Sequence, residues 1–270
     1  MGSLIISAVK PSGAKAILDR DGDWYRIILG GFNIFNSSGE YYTFEGIEEL
    51  FKDEQRVLCR RLKSGQLRGE INHPKNLTGT VMEKIARVMS IDMTLVSHFI
   101  KEIELKHTNE NSGFRNTPYS NNTIVNVIGW VLPSGPYAET LKRDLDNPEI
   151  NVAFSLRALT SIAVVGGINI KKVTDISTYD YVFEPGISRA NKFTTAGFAT
   201  ENMSLITEEV VDTFTYEELL TARKDILRIK ACGGNLCSCS FESASVEHVV
   251  DTALKILAPS AYKTIINIGK

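Results

Sequence analysis

Val152-Ala153-Phe154-Ser155-Leu156-Arg157-Ala158 reads as a β-strand whose two faces differ in kind. Side chains alternate across a strand with period two, so Val152, Phe154, Leu156 and Ala158 share one face, and Ala153, Ser155 and Arg157 share the other. The first face is apolar and requires a core. The second sets a hydroxyl beside a guanidinium, an arrangement open to a local hydrogen bond, a surface ion pair or catalysis.

Working outward, residues 178–183 form a second strand pattern, with Tyr179, Tyr181 and Phe183 on one side and Thr178, Asp180 and Val182 on the other, before Glu184-Pro185-Gly186 ends it. Upstream, a helical segment at 137–145 lies between Pro133-Ser134-Gly135-Pro136 and Asp146-Asn147-Pro148. Strand patterns at 96–105 and 123–132 flank a polar stretch, 108–122. Further back come an amphipathic helix at 81–89, an irregular segment at 67–74 that leaves His73 at a strand or loop end, and a helical pattern over 43–62. Alternating β-formers over 16–35 end at Asn36-Ser37-Ser38-Gly39. Past residue 188 the chain turns Thr-, Glu- and Asn-rich, and helical patterns follow at 216–229 and 246–257. The expected class is α+β, with a core at 1–190, a linker at 191–215 and a helical C-terminal tail at 216–270.

The 270 residues carry 30 basic and 32 acidic side chains, a net charge of −2, which disfavours a protein that tracks a nucleic-acid backbone. Apolar runs such as 161–170 fall far short of the roughly 20 residues that cross a bilayer, so no membrane span is expected. Residues 1–6 lack a basic region and a long apolar stretch, and position 6 is Ile where a myristoylation motif has Ser or Thr. Three of the four cysteines, Cys232, Cys237 and Cys239, crowd together, unlike a disulfide framework, so a reducing compartment is expected. One residue separates Cys237 from Cys239 and no second pair exists, which argues for free thiols and against a zinc site. Neither a metal nor a cofactor is expected.

A hydroxyl nucleophile needs a base within hydrogen-bond reach and a third group to orient that base. Four histidines compete for the base: His73 between Gly69 and Pro74, His98 and His107 at the ends of one strand pattern, and His248 on the tail.

Gly69-Glu70-Ile71-Asn72-His73-Pro74 resembles the Gly-Glu-Leu-Asn-His-Pro signature of tailed-phage prohead (head-maturation) proteases. Gly30-Gly31-Phe32-Asn33, Gly129-Trp130-Val131-Leu132 with Gly135 and Leu141, residues 153–158 and residues 178–186 are similar to that family's remaining core segments. The resemblance covers about residues 25–190. It implies a β-barrel-like protease core surrounded by helices, related to the herpesvirus assembly proteases, with a triad in the order His, Ser, third residue. Carried over, His73 is the general base, Ser155 the nucleophile and Asp180 the group that orients His73. Arg157, through its side chain or its backbone N–H, would help hold the oxyanion, and donors of that kind lower the barrier by on the order of 3 kcal/mol each.

The family often has Ser-Arg-Gly at the nucleophile, whereas Leu156 here separates Ser155 from Arg157 and Ala158 stands in place of Gly. Thr160 and Ser161 therefore remain rival nucleophiles. Asp175 and His98 remain rival third members, with His98 read first as structural. The function implied is a serine endopeptidase that cleaves scaffold, capsid and internal head proteins, and itself, after glutamate. It would act in the host cytoplasm inside the assembling prohead, with homo-oligomerisation by analogy with the herpesvirus enzymes. Leu205-Ile206-Thr207-Glu208 has the shape of a self-cleavage site, with the cut after Glu208. The alternative is a catalytically inactive capsid-assembly or scaffold protein that keeps the protease fold.

Overall fold

The computed structural model describes residues 17–75, 78–114, 123–197, 215–231 and 243–257. Glu208, Cys232, Cys237 and Cys239 lie outside them. In chain order the elements are β1 (Arg20–Asp21), β2 (Trp24–Phe32), β3 (Ile34–Phe35), β4 (Tyr41–Tyr42), α1 (Ile47–Lys52), α2 (Val57–Lys63), β5 (Arg68–Glu70), α3 (Val81–Met89), β6 (Val96–Asn111), β7 (Thr123–Pro133), α4 (Ala138–Asp146), β8 (Ala153–Val165), β9 (Ile168–Val182), α5 (Lys192–Thr195), α6 (Tyr216–Ala231) and α7 (Ser243–Leu257). The class is α+β, as expected. The described strands do not close into the expected barrel: they form two sheets, of order β1-β2-β7-β6-β5 and β3-β4-β9-β8. Their apolar faces meet in one core that includes Leu29, Val127, Phe154, Ile176 and Tyr179.

The sheets adjoin where β5 ends against β9. Ile71 bridges Tyr181 in parallel, and the Asn72 N–H donates to the Tyr181 carbonyl at 2.7 Å. Lys192, fully buried, donates to the carbonyls of Asp144 and Leu145 at the end of α4, which satisfies acceptors that a helix terminus leaves open. Its own N–H donates to Val152, and the Phe154 N–H donates to Ala190. The chain after β9 thus covers the start of the edge strand β8.

The two strand patterns at 152–158 and 178–183 are the far ends of one long hairpin. Gly166 and Gly167, with φ of 60° and 80°, make the two-residue turn, whose twist matches the flanking strands when both residues take positive φ. Two register shifts interrupt the ladder, between Arg157 and Ala158 and between Leu159 and Thr160, and each adds one residue to β9. Without them, the register set at the Val165–Ile168 pair would place Thr178 opposite Ser155; with them, Asp180 stands there. The extra residues are Thr174 and Ser177. A bulge frees a carbonyl from the ladder, and two arginines satisfy both: Arg56, the residue before α2, donates to Thr174 O at 3.1 Å and Arg61 of α2 to Ser177 O at 3.0 Å.

The helical pattern over 43–62 is two helices. Asp53 ends α1, its carboxylate accepting from the Gln55 N–H at 2.9 Å and its carbonyl from the Arg56 N–H. That Asx turn competes with helix continuation. At the other end of the chain, α6 and α7 bury Leu219, Ile226, Val250 and Leu254 against Ile85 and Met89 of α3 and Leu159 of β8. Arg223 pairs with Asp251 between the two helices at 2.7 Å.

Arg61 also donates to Met89 O, so Arg61→Met would strand two carbonyls. Urea denaturation is expected to show a loss of about 2 kcal/mol, and a midpoint equal to wild type would contradict this role of Arg61.

Candidate active site

Each residue of the 69–74 segment answers a separate physical demand. At Gly69 an added Cβ would lie 2.2 Å from the Tyr179 carbonyl oxygen and from the His98 ring, closer than any side chain tolerates. Glu70 is fully buried. Its carboxylate accepts from Arg87 at 3.0 and 2.8 Å, from Arg157 at 3.2 Å and from the Asp92 N–H at 2.7 Å. Ile71 continues toward β9, its N–H on Leu95 O. Asn72 has φ 63°, the left-handed region that Asn enters more readily than most residues. That reversal presents His73 to β9, where His73 Nδ1 donates to Asp180 Oδ2 at 2.8 Å.

Asp180 is 0% exposed. Arg157 grips it as a fork, Nε to Oδ2 at 2.7 Å and Nη2 to Oδ1 at 2.6 Å, and the Glu70 N–H donates to Oδ1 at 2.9 Å. Burial alone opposes the charged carboxylate, but the Arg157 charge and the His73 and Arg157 hydrogen bonds overcome it. Asp180 is held well below the ordinary carboxylate range. An ionised Asp180 fixes the His73 tautomer with its proton on Nδ1 and leaves Nε2 as the basic nitrogen.

Ser155 pairs directly with Asp180 across β8 and β9. Directly opposed residues project from the same face of a sheet with Cβ atoms about 4.5–5.5 Å apart, so Ser155, Asp180 and Arg157 share one face. The face alternation read from sequence holds for both strands. No hydrogen bond joins His73 to Ser155 among the described residues, and such contacts commonly tighten only with substrate in place.

The rival residues have other partners. Asp175, also buried, pairs with Arg56 at 3.4 Å and accepts from the Ile176 N–H. His98 is fully enclosed: its Nε2 donates to Tyr179 O at 3.1 Å and its Nδ1 accepts from Ser97 Oγ at 2.9 Å. Burial pushes its imidazole down to about 4, and the neutral ring braces β6 to β9. Ser161 lies far along β8, opposite Lys172, and Thr160 pairs with Val173. The Arg157 guanidinium, from which the sequence led us to expect an oxyanion donor, spends its N–H groups on Asp180, Glu70 and Ser90 O. Among the described residues no group of three or more His, Cys, Asp or Glu side chains could hold a metal ion.

Sequence reasoning assigned no role to Glu70 or Arg87. A signal was present in Glu70, an acid set between Gly69 and Ile71 on a strand entering the core, where a charge survives only if paired.

The Peptidase S80 family model matches residues 5–250. The chain belongs to that family. It is 30% identical over 245 residues, 88% of this chain and 82% of the relative, to a capsid maturation protease of Pseudomonas phage phiKZ. No solved structure matches the chain. The resemblance to tailed-phage head-maturation proteases, which the sequence carried over about residues 25–190, is thus supported over 5–250 by the family model and over 88% of the chain by the phage relative.

Two predictions come from this geometry. Gly69→Ala should destabilise the protein by about 3 kcal/mol or more, because the Tyr179 carbonyl cannot yield as a flexible side chain could; a urea midpoint equal to wild type would contradict the packing. The second concerns His98, whose folded value of about 4 lies below its ordinary 6.5. Between those values the unfolded chain binds the extra proton, so stability should be full above pH 6.5 and decline by roughly 3 kcal/mol as pH falls to 4. His98→Gln keeps a donor for Tyr179 O without titrating, and its urea midpoints across that range should show the smaller decline.

Proposed function

We propose that this chain is a serine endopeptidase of phage head maturation, with Ser155 as nucleophile, His73 as general base and Asp180 as the residue that orients the base. The observation that carries the reading is the double use of Asp180: His73 is hydrogen-bonded to it, and Ser155 stands directly across the sheet from it.

In this mechanism Ser155 Oγ attacks the scissile carbonyl carbon and passes its proton to His73 Nε2. The resulting imidazolium is stabilised by ionised Asp180 and returns the proton to the departing amine, which leaves an acyl-enzyme. Water, deprotonated by the same imidazole, then releases the acid. Arg157 acts as a positioning residue in this scheme: its fork keeps Asp180 ionised and aimed, and the oxyanion is left to its backbone N–H, the other option the sequence offered for this residue.

The substrates proposed are scaffold, capsid and internal head proteins, cut after glutamate, with self-cleavage after Glu208 releasing the helices that follow. A capsid maturation protease at 30% identity supports this assignment, as does the linker composition over 191–214. The site of action is then the assembling prohead in the host cytoplasm.

The test is intact mass over time for the full chain beside Ser155→Ala and His73→Ala. Wild type should shorten with a new C-terminus after a glutamate, and both variants should slow by roughly 10³-fold or more. Equal shortening of all three chains would sink the triad, and a wild-type cut after another residue type would sink the glutamate specificity.

A further inference from the structure

A buried acid–base site has to balance its own charges. Arg157 keeps Asp180 ionised, yet a guanidinium in a bidentate grip also cancels much of the field that Asp180 should exert on His73. Imidazolium formation at His73 would then face a neutral pair rather than an anion. The structure contains a second carboxylate where it offsets this: Glu70 Oε1 accepts from the same guanidinium, through Nη1 at 3.2 Å. The Glu70 backbone N–H also lies on Asp180 Oδ1. Asp180, Arg157 and Glu70 thus form a carboxylate–guanidinium–carboxylate chain with both acids fully buried.

We propose that Glu70 is a positioning residue of the proteolytic site, the counter-charge to Arg157 that lets Asp180 act on His73 as a net anion. The proposal rests on the triad reading above. The charged neighbours fit it from every side. Arg87 on α3 closes the far end of the chain on Glu70, and Arg61 on α2 adds a second positive field felt by both Arg157 and Glu70. Asp175 on β9 is partnered by Arg56 and also faces Arg61. His98 on β6 is next to Asp180 and Arg157 but neutral above about pH 4. Without Glu70, Arg157 would keep its grip on Asp180 with no second carboxylate to offset its charge.

The sign of the effect distinguishes this role from packing. Removing a negative charge disfavours the His73 imidazolium, so Glu70→Gln should move the acid limb of activity to lower pH. Removing a positive charge does the opposite, so Arg87→Met should move it to higher pH. Shifts of roughly one pH unit or less are expected for a single charge one ion pair removed from the carboxylate.

The experiment measures the rate at which a fluorophosphonate labels Ser155 in the full chain between pH 5 and 9, with the labelled peptide mapped. Wild type should show a rate that rises with pH to a plateau, Glu70→Gln a limb at lower pH with a several-fold lower plateau, and Arg87→Met a limb at higher pH. If both variants are slower with an unmoved limb, Glu70 is only structural and the proposal fails. If Glu70→Gln does not fold, as judged by near-UV circular dichroism, the Arg87→Met limb decides alone by the same criterion. The His73 imidazole resonance, titrated by NMR in a Ser155→Ala background, reads the same shifts without any reaction; resonances that do not move in either variant overturn the role of Glu70. Failure of the triad reading looks different: Ser155 is then unlabelled in wild type, or His73→Ala is labelled as fast as wild type.

Discussion

Everything at the site depends on one fully buried carboxylate. Removing Asp180 from water carries a penalty of several kcal/mol that only close, well-oriented partners offset. Its partners come from different parts of the chain: the Arg157 fork from β8, the Glu70 N–H from β5, and His73 from the turn beyond. Each needs its own piece of backbone held in place. The hairpin must be in register, β5 must abut β9, and Asn72 must reverse the chain.

Arginines do most of that holding, for a reason specific to their shape. A planar fork with several donors can satisfy a carboxylate or bridge two acceptors at once, which a lysine point charge cannot. Arg56 and Arg61 complete the bulge carbonyls, Arg157 links the two acids, and Arg87 holds Glu70 from the other side. The helix α3 joins this network to the end of the chain. It supplies Arg87 to Glu70 and buries Ile85, Ala86 and Met89 with α6 and α7. The C-terminal helices therefore rest on the same element that anchors the acid cluster.

Local pattern was a good guide where one segment contains its own reasons. The helix read at 81–89 has the bounds of α3, because Thr80 and Glu83 form a reciprocal cap and the apolar positions fall on one face. The alternation at 152–158 and 178–183 correctly put Ser155 with Arg157 and separated Asp180 from Tyr179. It failed at 43–62, where the apolar spacing continued through Asp53 although the Asx turn there breaks the helix. It also left the acid at position 70 without a role, since none of the arginines that explain it is a close neighbour in sequence.

Period-two alternation, helix spacing and the Gly69–Pro74 segment thus carried the class of the fold, the strands that hold Ser155 and Asp180 and the family. Those are properties of short windows, set by backbone geometry and side-chain type. The pairing of Ser155 with Asp180 was beyond such windows. Alternation says which face a side chain takes but not which residue lies opposite, and a turn at Gly166-Gly167 extended without interruption would have placed Thr178 there. Two bulges, stabilised by Arg56 and Arg61 more than a hundred residues away, slide the strand by two residues. Bulge carbonyls need donors from outside the sheet, so that register could be settled only when distant parts of the chain packed together.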